Sequence, residues 1–353
     1  MNVLVTGASG RVGANMVRRL VAEGIDVKAM VIPGDPQVAK LARFRDVPIV
    51  EADLGDQESV DAACKGVTHV VHLAAQLVRG DTPVDRFYDT NALGTLRLLE
   101  GIVRSGVPLE RFVLASSDGT YRPGAPPAIP LREDVPQLPG DYYGTSKLLG
   151  EVILRNHAYQ YDLPFAIVRF ATVVSPEEAG RLFRRDFWKA VLHWQSLGKE
   201  SHLWPLFHGQ PDLQRVYAQA TEAVPPDTAV GLTGPTGQPW TLSLVDVRDA
   251  VEGVYRALVE PAALSTAFNI AAARPTTHAD GAAIVSEIFG VPKLMVPMPM
   301  DFRLELNVEL ARKRINYQPG YDYREMVESA RSLSSRDVIP ASTASGVAST
   351  WQE

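Results

Sequence analysis

The chain has 353 residues, 46% apolar and 22% charged, with a net charge of −6 and a pI near 5.7. That length supports one large or two modest domains, and the mild acidity argues against nucleic acid or an anionic membrane as the main partner. The single cysteine, Cys64, excludes an internal disulfide and a cysteine metal cluster, and is expected as a small buried side chain in the helix around it. No apolar run approaches the ~20 residues of a membrane span, and "MNVLVTG" opens directly on a strand without a signal-like segment, so a cytoplasmic location is expected.

In chain order, "NVLVT" (2–6) predicts the first strand and "VGANMVRRLVAEG" (12–24) the first helix. Further strands are predicted at 26–32, 48–54, 69–75, 111–117 and 165–170. These runs are apolar throughout rather than alternating, which predicts strands covered on both faces, as in a parallel sheet. A helix is expected over 85–106, ended by Gly106. The alternation of strand and helix implies a doubly wound α/β domain. His69 and His72 read as strand residues, since no carboxylate or cysteine has metal-ligand spacing, and no metal is expected.

The proline-rich stretch 118–140 reads as a long loop covering a site. A helix follows, opening with "GDYYGTSKLLGEV" (140–152). Residues 176–240 diverge in pattern and carry Trp188, Trp194, Trp204 and Trp240, which read first as core, because aromatics mostly supply buried area. "SLVDVRDAVEGVYRALVE" (243–260) returns to the sheet domain, and 267–290 reads as a strand, a loop and a Thr-capped helix. The small polar residues of 331–353 predict a tail. The expected division is 1–175 plus about 241–270 for the sheet domain, and 176–240 plus about 271–330 for a smaller, discontinuous C-terminal substrate domain.

Two features carry chemistry. Gly7, Gly10 and Gly13 lie between the first strand and helix, where glycines permit a tight turn and close approach of a pyrophosphate to a helix N-terminus. Tyr143 precedes Lys147 by four residues, which stacks a phenol and an ammonium on one helix face. Such a cation lowers a phenol's pKa from about 10 and makes it a proton donor or acceptor near neutrality. Tyr142 has only Ser146 at that spacing.

TGxxGxxG (6–13), "ADL" (52–54), "HLAA" (72–75), "NALGT" (91–95), "ASS" (115–117) and "YGTSK" (143–147) together resemble the extended short-chain dehydrogenase/reductases, also called the NAD-dependent epimerase/dehydratase family. The resemblance covers about 1–175, returns at "VDVRDAVEGV" and ends near "NYQPGYDYREMVESA". It implies a Rossmann sheet and NAD or NADP as cofactor. It places Ser117, Tyr143, Lys147 and Asn91 in catalysis: Ser117 bonding the reacting oxygen, Tyr143 passing the proton, Lys147 also holding the nicotinamide ribose, and Asn91 organising the network. Cofactor contacts would come from Gly7, Ser9, Gly10, Arg11, Val12, Gly13, Asp53, Leu54, Leu73, Ala74, Ala75, Asn91, Ala115, Tyr143, Lys147 and Phe170. Asp53 would face the adenine, or cap its own turn "DLGD". The substrate would meet Ser117, Asp118, Gly119, Tyr143 and Thr172. A homodimer through helices around 84–105 and 141–160 is implied.

Three departures from the family pattern narrow the expectation. Val31 stands where NAD-preferring relatives carry an acidic residue, and Ile32 where NADP-preferring ones often carry arginine. Arg11 could reach a phosphate and Asp35 could accept from ribose hydroxyls; a 2′-phosphate wants more than one cation, which favours NAD. Asp118-Gly119 replaces the Asp-Glu pair of dehydratases, so dehydration is not expected. Leu242 stands where nucleotide-sugar enzymes carry a diphosphate-clamping arginine, and "VSP" (174–176) replaces "YGP". Arg181, Arg184 or Arg185 could substitute. The expected function is an NAD(P)-dependent oxidoreductase or epimerase acting at a secondary alcohol or ketone of a small sugar-like substrate. The alternatives are a nucleotide-sugar 4-epimerase, a dihydroflavonol-reductase-like ketone or aldehyde reductase, and a catalytically silent cofactor-sensing module. The intact Ser117, Tyr143 and Lys147 argue against the last.

Overall fold

The computed structural model describes residues 1–77, 82–122, 126, 128–201, 204–332 and 338–341. The six early runs form β1 (Asn2–Thr6), β2 (Asp26–Val31), β3 (Ile49–Glu51), β4 (His69–His72), β5 (Arg111–Ser117) and β6 (Phe165–Phe170). With a seventh strand, Thr266–Ile270, they make one parallel sheet in the order Thr266–Ile270, β6, β5, β4, β1, β2, β3. Every residue of β5 and β6 is buried, as the unbroken apolar runs require.

Alternate residues serve opposite faces of the sheet. Val3, Val5, Val113, Ala115 and Val168 pack with α1 (Arg11–Ala22) and the helix Val247–Val259. Leu4, Val70, Phe112, Leu114 and Ile167 pack with α2 (Gln57–Cys64) and the helices described next. Cys64 is buried in that second layer, and burial pushes its thiol up to about 12. The strand order reverses between β1 and β4, so their C-terminal ends frame the crevice where such sheets bind ligands.

Two elements differ from expectation. The strand predicted over 48–54 stops at Glu51, because Asp53 Oδ1 accepts from Gly55 N at 2.8 Å and the Asp53 carbonyl from Asp56 N at 2.9 Å, closing a turn. The helix predicted over 85–106 is broken into α3 (Val84–Phe87), a widened π-type turn Tyr88–Leu93, and α4 (Gly94–Ser105), with Gly106 ending it at φ 67°. Thr95 Oγ1 bonds the Asn91 carbonyl at 2.8 Å inside that break. Its partner helix is α5 (Tyr142–Tyr161), whose Gly150 permits the approach: a Cβ there would lie 3.0 Å from the Asn91 carbonyl.

The remaining strands form a second unit of small sheets with apolar clusters of their own. Ala229–Thr233 pairs with Lys293–Pro297, and Thr241–Leu242 lies between Thr276–Thr277 and Arg303–Leu304. Trp188 and Trp240 are core here, packed around buried His278, while Trp194 and Trp204 are half-buried. The loop after β5 is stitched across this unit: Leu131 exchanges backbone bonds with Glu305 and Asn307 at 2.7 and 2.8 Å. Pro123 and Pro127 of that loop lie outside the described residues.

The tail expected over 331–353 is corrected in part. Val338 and Ile339 are buried, and Ile339 exchanges two 2.9 Å bonds with the Asn15 side chain on α1. Apolar "VIP" amid small polar residues is the signal that a composition average hides; residues 333–337 and 342–353 lie outside the described residues. No helix among the described residues is long and apolar enough to cross a membrane.

Candidate active site

The glycine loop closes as its sequence demands. Gly7 has φ +64°, and a Cβ there would meet the Ala74 backbone at 2.8 Å, so "HLAA" after β4 crosses directly against it. A Cβ on Gly13 would fall 2.0 Å from the Gly7 carbonyl. Gly10 caps α1, whose first turn holds no acidic residue, so no carboxylate of that turn competes for the N–H groups at Arg11, Val12 and Gly13. These features fit a dinucleotide pyrophosphate.

Around the loop, polar side chains hold fixed assignments. Ser9 Oγ donates to Asp35, whose other oxygen accepts from Gln37 N at 2.8 Å. Lys40 Nζ donates to the Ser9 carbonyl at 3.1 Å and the Ala341 carbonyl at 2.6 Å; burial lowers its pKa to about 8, and Asp35 opposes that. Asp35 therefore stands beside the glycine loop, four residues past the usual acidic position, while Val31 is buried and Ile32 is exposed. Arg11, expected to reach a phosphate, donates its guanidinium to the buried Glu178 carboxylate at 2.7 Å and to the Val173 carbonyl. Asp53 is exposed and spends Oδ1 on its own turn. Leu54 is buried against Gly94. His72 is spent between Thr6 Oγ1 at 2.7 Å and Thr95 Oγ1 at 3.1 Å, and burial drives its pKa down to about 3.

The catalytic candidates converge at the ends of β4 and β5 and the start of α5. Ser116 turns away and donates to Glu151 at 2.6 Å, while Ser117 Oγ and the Tyr143 ring both border Gly119. Asp141 caps α5, accepting from Gly144 N at 2.6 Å; burial pushes its pKa up to about 6. Gly144 is required, since a Cβ would sit 2.0 Å from the Gly119 carbonyl. Ala115 and Phe170 close the strand ends below, and Thr172, half-buried, opens the short strand Thr172–Val174.

Burial holds the Tyr143 phenol above its ordinary pKa, with Asp118 and Asp141 adding to the shift and Ser117 opposing it. Burial, rather than the lowering expected from Lys147, sets the direction of the phenol's shift. Burial lowers Lys147 to about 8, partly offset by Glu151, and its charge is felt at His72 under the end of β4. Asn91 accepts from Gln76 N at 2.8 Å and donates to the Gln76 carbonyl at 3.1 Å and Ser146 Oγ at 2.9 Å. It thus clamps the loop after β4 to the catalytic helix.

Sequence reasoning missed Glu151, the next residue in the 143–147 stripe, where the same four-residue step predicts another neighbour. Both its oxygens bond Arg169, at 3.0 and 2.8 Å, and Arg169 also donates to Tyr121 Oη at 2.7 Å. Leu242 is half-buried with no cation of its own, but it pairs in register with Leu304 beside Arg303, which is bound to Glu305 at 2.8 Å. Arg184 and Arg185 donate to the Asp227 and Val224 carbonyls; Arg181 is exposed.

A parallel sheet with a glycine loop at its switch point and a Ser-Tyr-Lys group at its strand ends defines a short-chain dehydrogenase/reductase. The chain belongs to the NAD dependent epimerase/dehydratase family, whose sequence model matches residues 3–271. It is similar to a UDP-glucose 4-epimerase of Azospirillum brasilense, 34% identical over 184 residues, or 51% of each chain. A UDP-glucose 4-epimerase of Lacticaseibacillus casei is 27% identical over 343 residues, 91% of this chain and 93% of that one. The chain thus spans about half the length of the first of these relatives and most of the second. A crystal structure of a short-chain dehydrogenase/reductase superfamily protein from Agrobacterium tumefaciens with bound NAD superposes with a TM-score of 0.80 at 26% identity, covering 94% of this chain and 96% of that one.

Proposed function

We propose that the protein binds NAD and transfers a hydride at a secondary alcohol or ketone of a sugar, most readily as a nucleotide-sugar 4-epimerase. The observation that carries the reading is the gathering of Ser117, the Tyr143 ring and, one turn on, Lys147 around Gly119 at the strand ends beside the glycine loop. The UDP-glucose 4-epimerase relatives and the NAD-bound structural neighbour support the choice of cofactor and substrate class. NAD over NADP is supported by Asp35 beside the loop and by the engagement of Arg11 with Glu178. The first-turn N–H groups of α1 would hold the pyrophosphate, and Lys147 the nicotinamide ribose. Bound NAD supplies a hydride acceptor. Tyr143 as phenolate takes the alcohol proton and returns it when the carbonyl is reduced, and Ser117 bonds the reacting oxygen. Two copies would meet through α5 and the α3–α4 region, where Leu149, Val152 and Tyr159 on α5 and Leu93 in the turn before α4 are exposed apolar or aromatic side chains. A cytoplasmic location fits this chemistry.

The test incubates NAD-loaded protein with UDP-galactose and follows both UDP-glucose and free NADH. Epimerisation gives product without NADH; net oxidation gives NADH in step with product. Bound NAD with no turnover across sugars, sugar acids and nucleotide sugars would overturn both and favour the cofactor-sensing alternative. A second reading, a substrate without a diphosphate, draws on Leu242 at the clamp position and on Arg184 and Arg185 being engaged by carbonyls. Burying a diphosphate without cations is costly, so micromolar calorimetric binding of UDP would remove that reading.

A further inference from the structure

The Ser117 hydroxyl has one hydrogen and two lone pairs. Its hydrogen is donated to Asp118 Oδ1 at 3.1 Å. Its oxygen accepts from Gly119 N at 3.1 Å, which leaves one lone pair on the side of Tyr143. A substrate carbonyl can therefore take the Ser117 hydrogen only if Asp118 lets go. Asp118 is the one able to change its role. Its Oδ2 is buried and has no partner among the described residues. Asp141, the cap of α5, is the other carboxylate acting on it, and Tyr143 on the same helix end feels both.

We propose that Asp118 directs Ser117: as a carboxylate it holds the serine hydrogen and leaves Ser117 an acceptor for a substrate alcohol, and as a neutral acid it donates instead and frees that hydrogen for a substrate carbonyl. Oxidation and reduction at one carbon need these two arrangements in turn. Asp118 is thus a positioning residue that acts through Ser117, and it does so at a position where Gly119 offers no second carboxylate. Both of its states are within reach near neutrality, because burial raises it to about 7, with Asp141 adding and the Ser117 and Gly119 hydrogen bonds opposing. While ionised it also opposes formation of the Tyr143 phenolate, a like charge held nearby.

The proposal rests on the Tyr143-centred reading above, so its test begins with a measurement that needs no substrate. Phenolate absorbance of the NAD-loaded protein is titrated with pH, and the same titration of Tyr143→Phe is subtracted to remove the other tyrosines. Asp118→Asn should move the Tyr143 midpoint down by about one pH unit. An unchanged or raised midpoint would overturn the proposal. Should that variant fail to fold, Ser117→Ala decides: loss of the shared oxygen should raise both the phenol midpoint and the Asp118 carboxyl midpoint read by NMR. No movement of either would overturn it. On UDP-galactose, the acid limb of turnover in Asp118→Asn should shift down by the same amount as the phenol, and a limb that stays in place counts against the proposal. Absence of turnover in the parent protein would sink the epimerase reading while the absorbance result still decides the role of Asp118.

Discussion

Tyr143 and Asp118 both flank Ser117 and Gly119, yet their substitutions separate cleanly. Tyr143→Phe keeps the ring and removes only the oxygen, so NAD binding measured by calorimetry should persist while turnover falls by roughly 100-fold or more. Asp118 makes a stability prediction as well. Its pKa is raised from near 3.8 to about 7, so its contribution is present at acid pH and is lost as pH rises through 7. Asp118→Asn should therefore gain thermal stability relative to the parent as pH moves from 5 to 8, with most of the gain by about 7. A thermal-midpoint difference that is flat with pH would contradict this. Arg11 has a partner that reading by residue type does not supply. A cation inside a glycine loop suggests a phosphate, but its partner Glu178 lies 167 positions away, and no local pattern announces such a pair. Arg11→Ala should weaken NAD and NADP binding by similar factors, measured by fluorescence titration; a loss confined to NADP would restore the phosphate contact.

At the scale of elements, what was legible was what is periodic or sterically forced. Continuous apolar runs disclosed β1 to β6, and the glycine spacing disclosed the first turn, because Gly7 and Gly13 have no alternative. The break between α3 and α4 was not legible, since apolar spacing survives a single widened turn. That turn has a function in the fold: it lets Asn91 reach Gln76 and Ser146 together. Asn91→Ala would leave the buried Ser146 hydroxyl and the Gln76 backbone to find other partners, at a cost of about 1–3 kcal/mol. The expected outcome is a KM for NAD raised several-fold with a smaller change in kcat. A purely catalytic role would reverse that pattern.

Across the whole molecule, helix α5 and the turn before α4 present exposed apolar side chains, Leu149, Val152 and Leu93. Val152 is 53% exposed on α5. A Val152→Asp, Leu149→Asp pair should convert a dimer into a monomer in sedimentation, with the fold retained; an unchanged mass would place the contact elsewhere. The docked segment Val338–Ala341 has a different reach. It touches Asn15, Lys40 and Glu177, three points around the cofactor loop. Asn15 and Ile339 are separated by 324 positions, so the glycine loop acquires this support only after those intervening residues have been translated. A nascent chain halted before this segment would carry the nucleotide fingerprint without its brace, and so would meet the cell's NAD in a form less able to keep it.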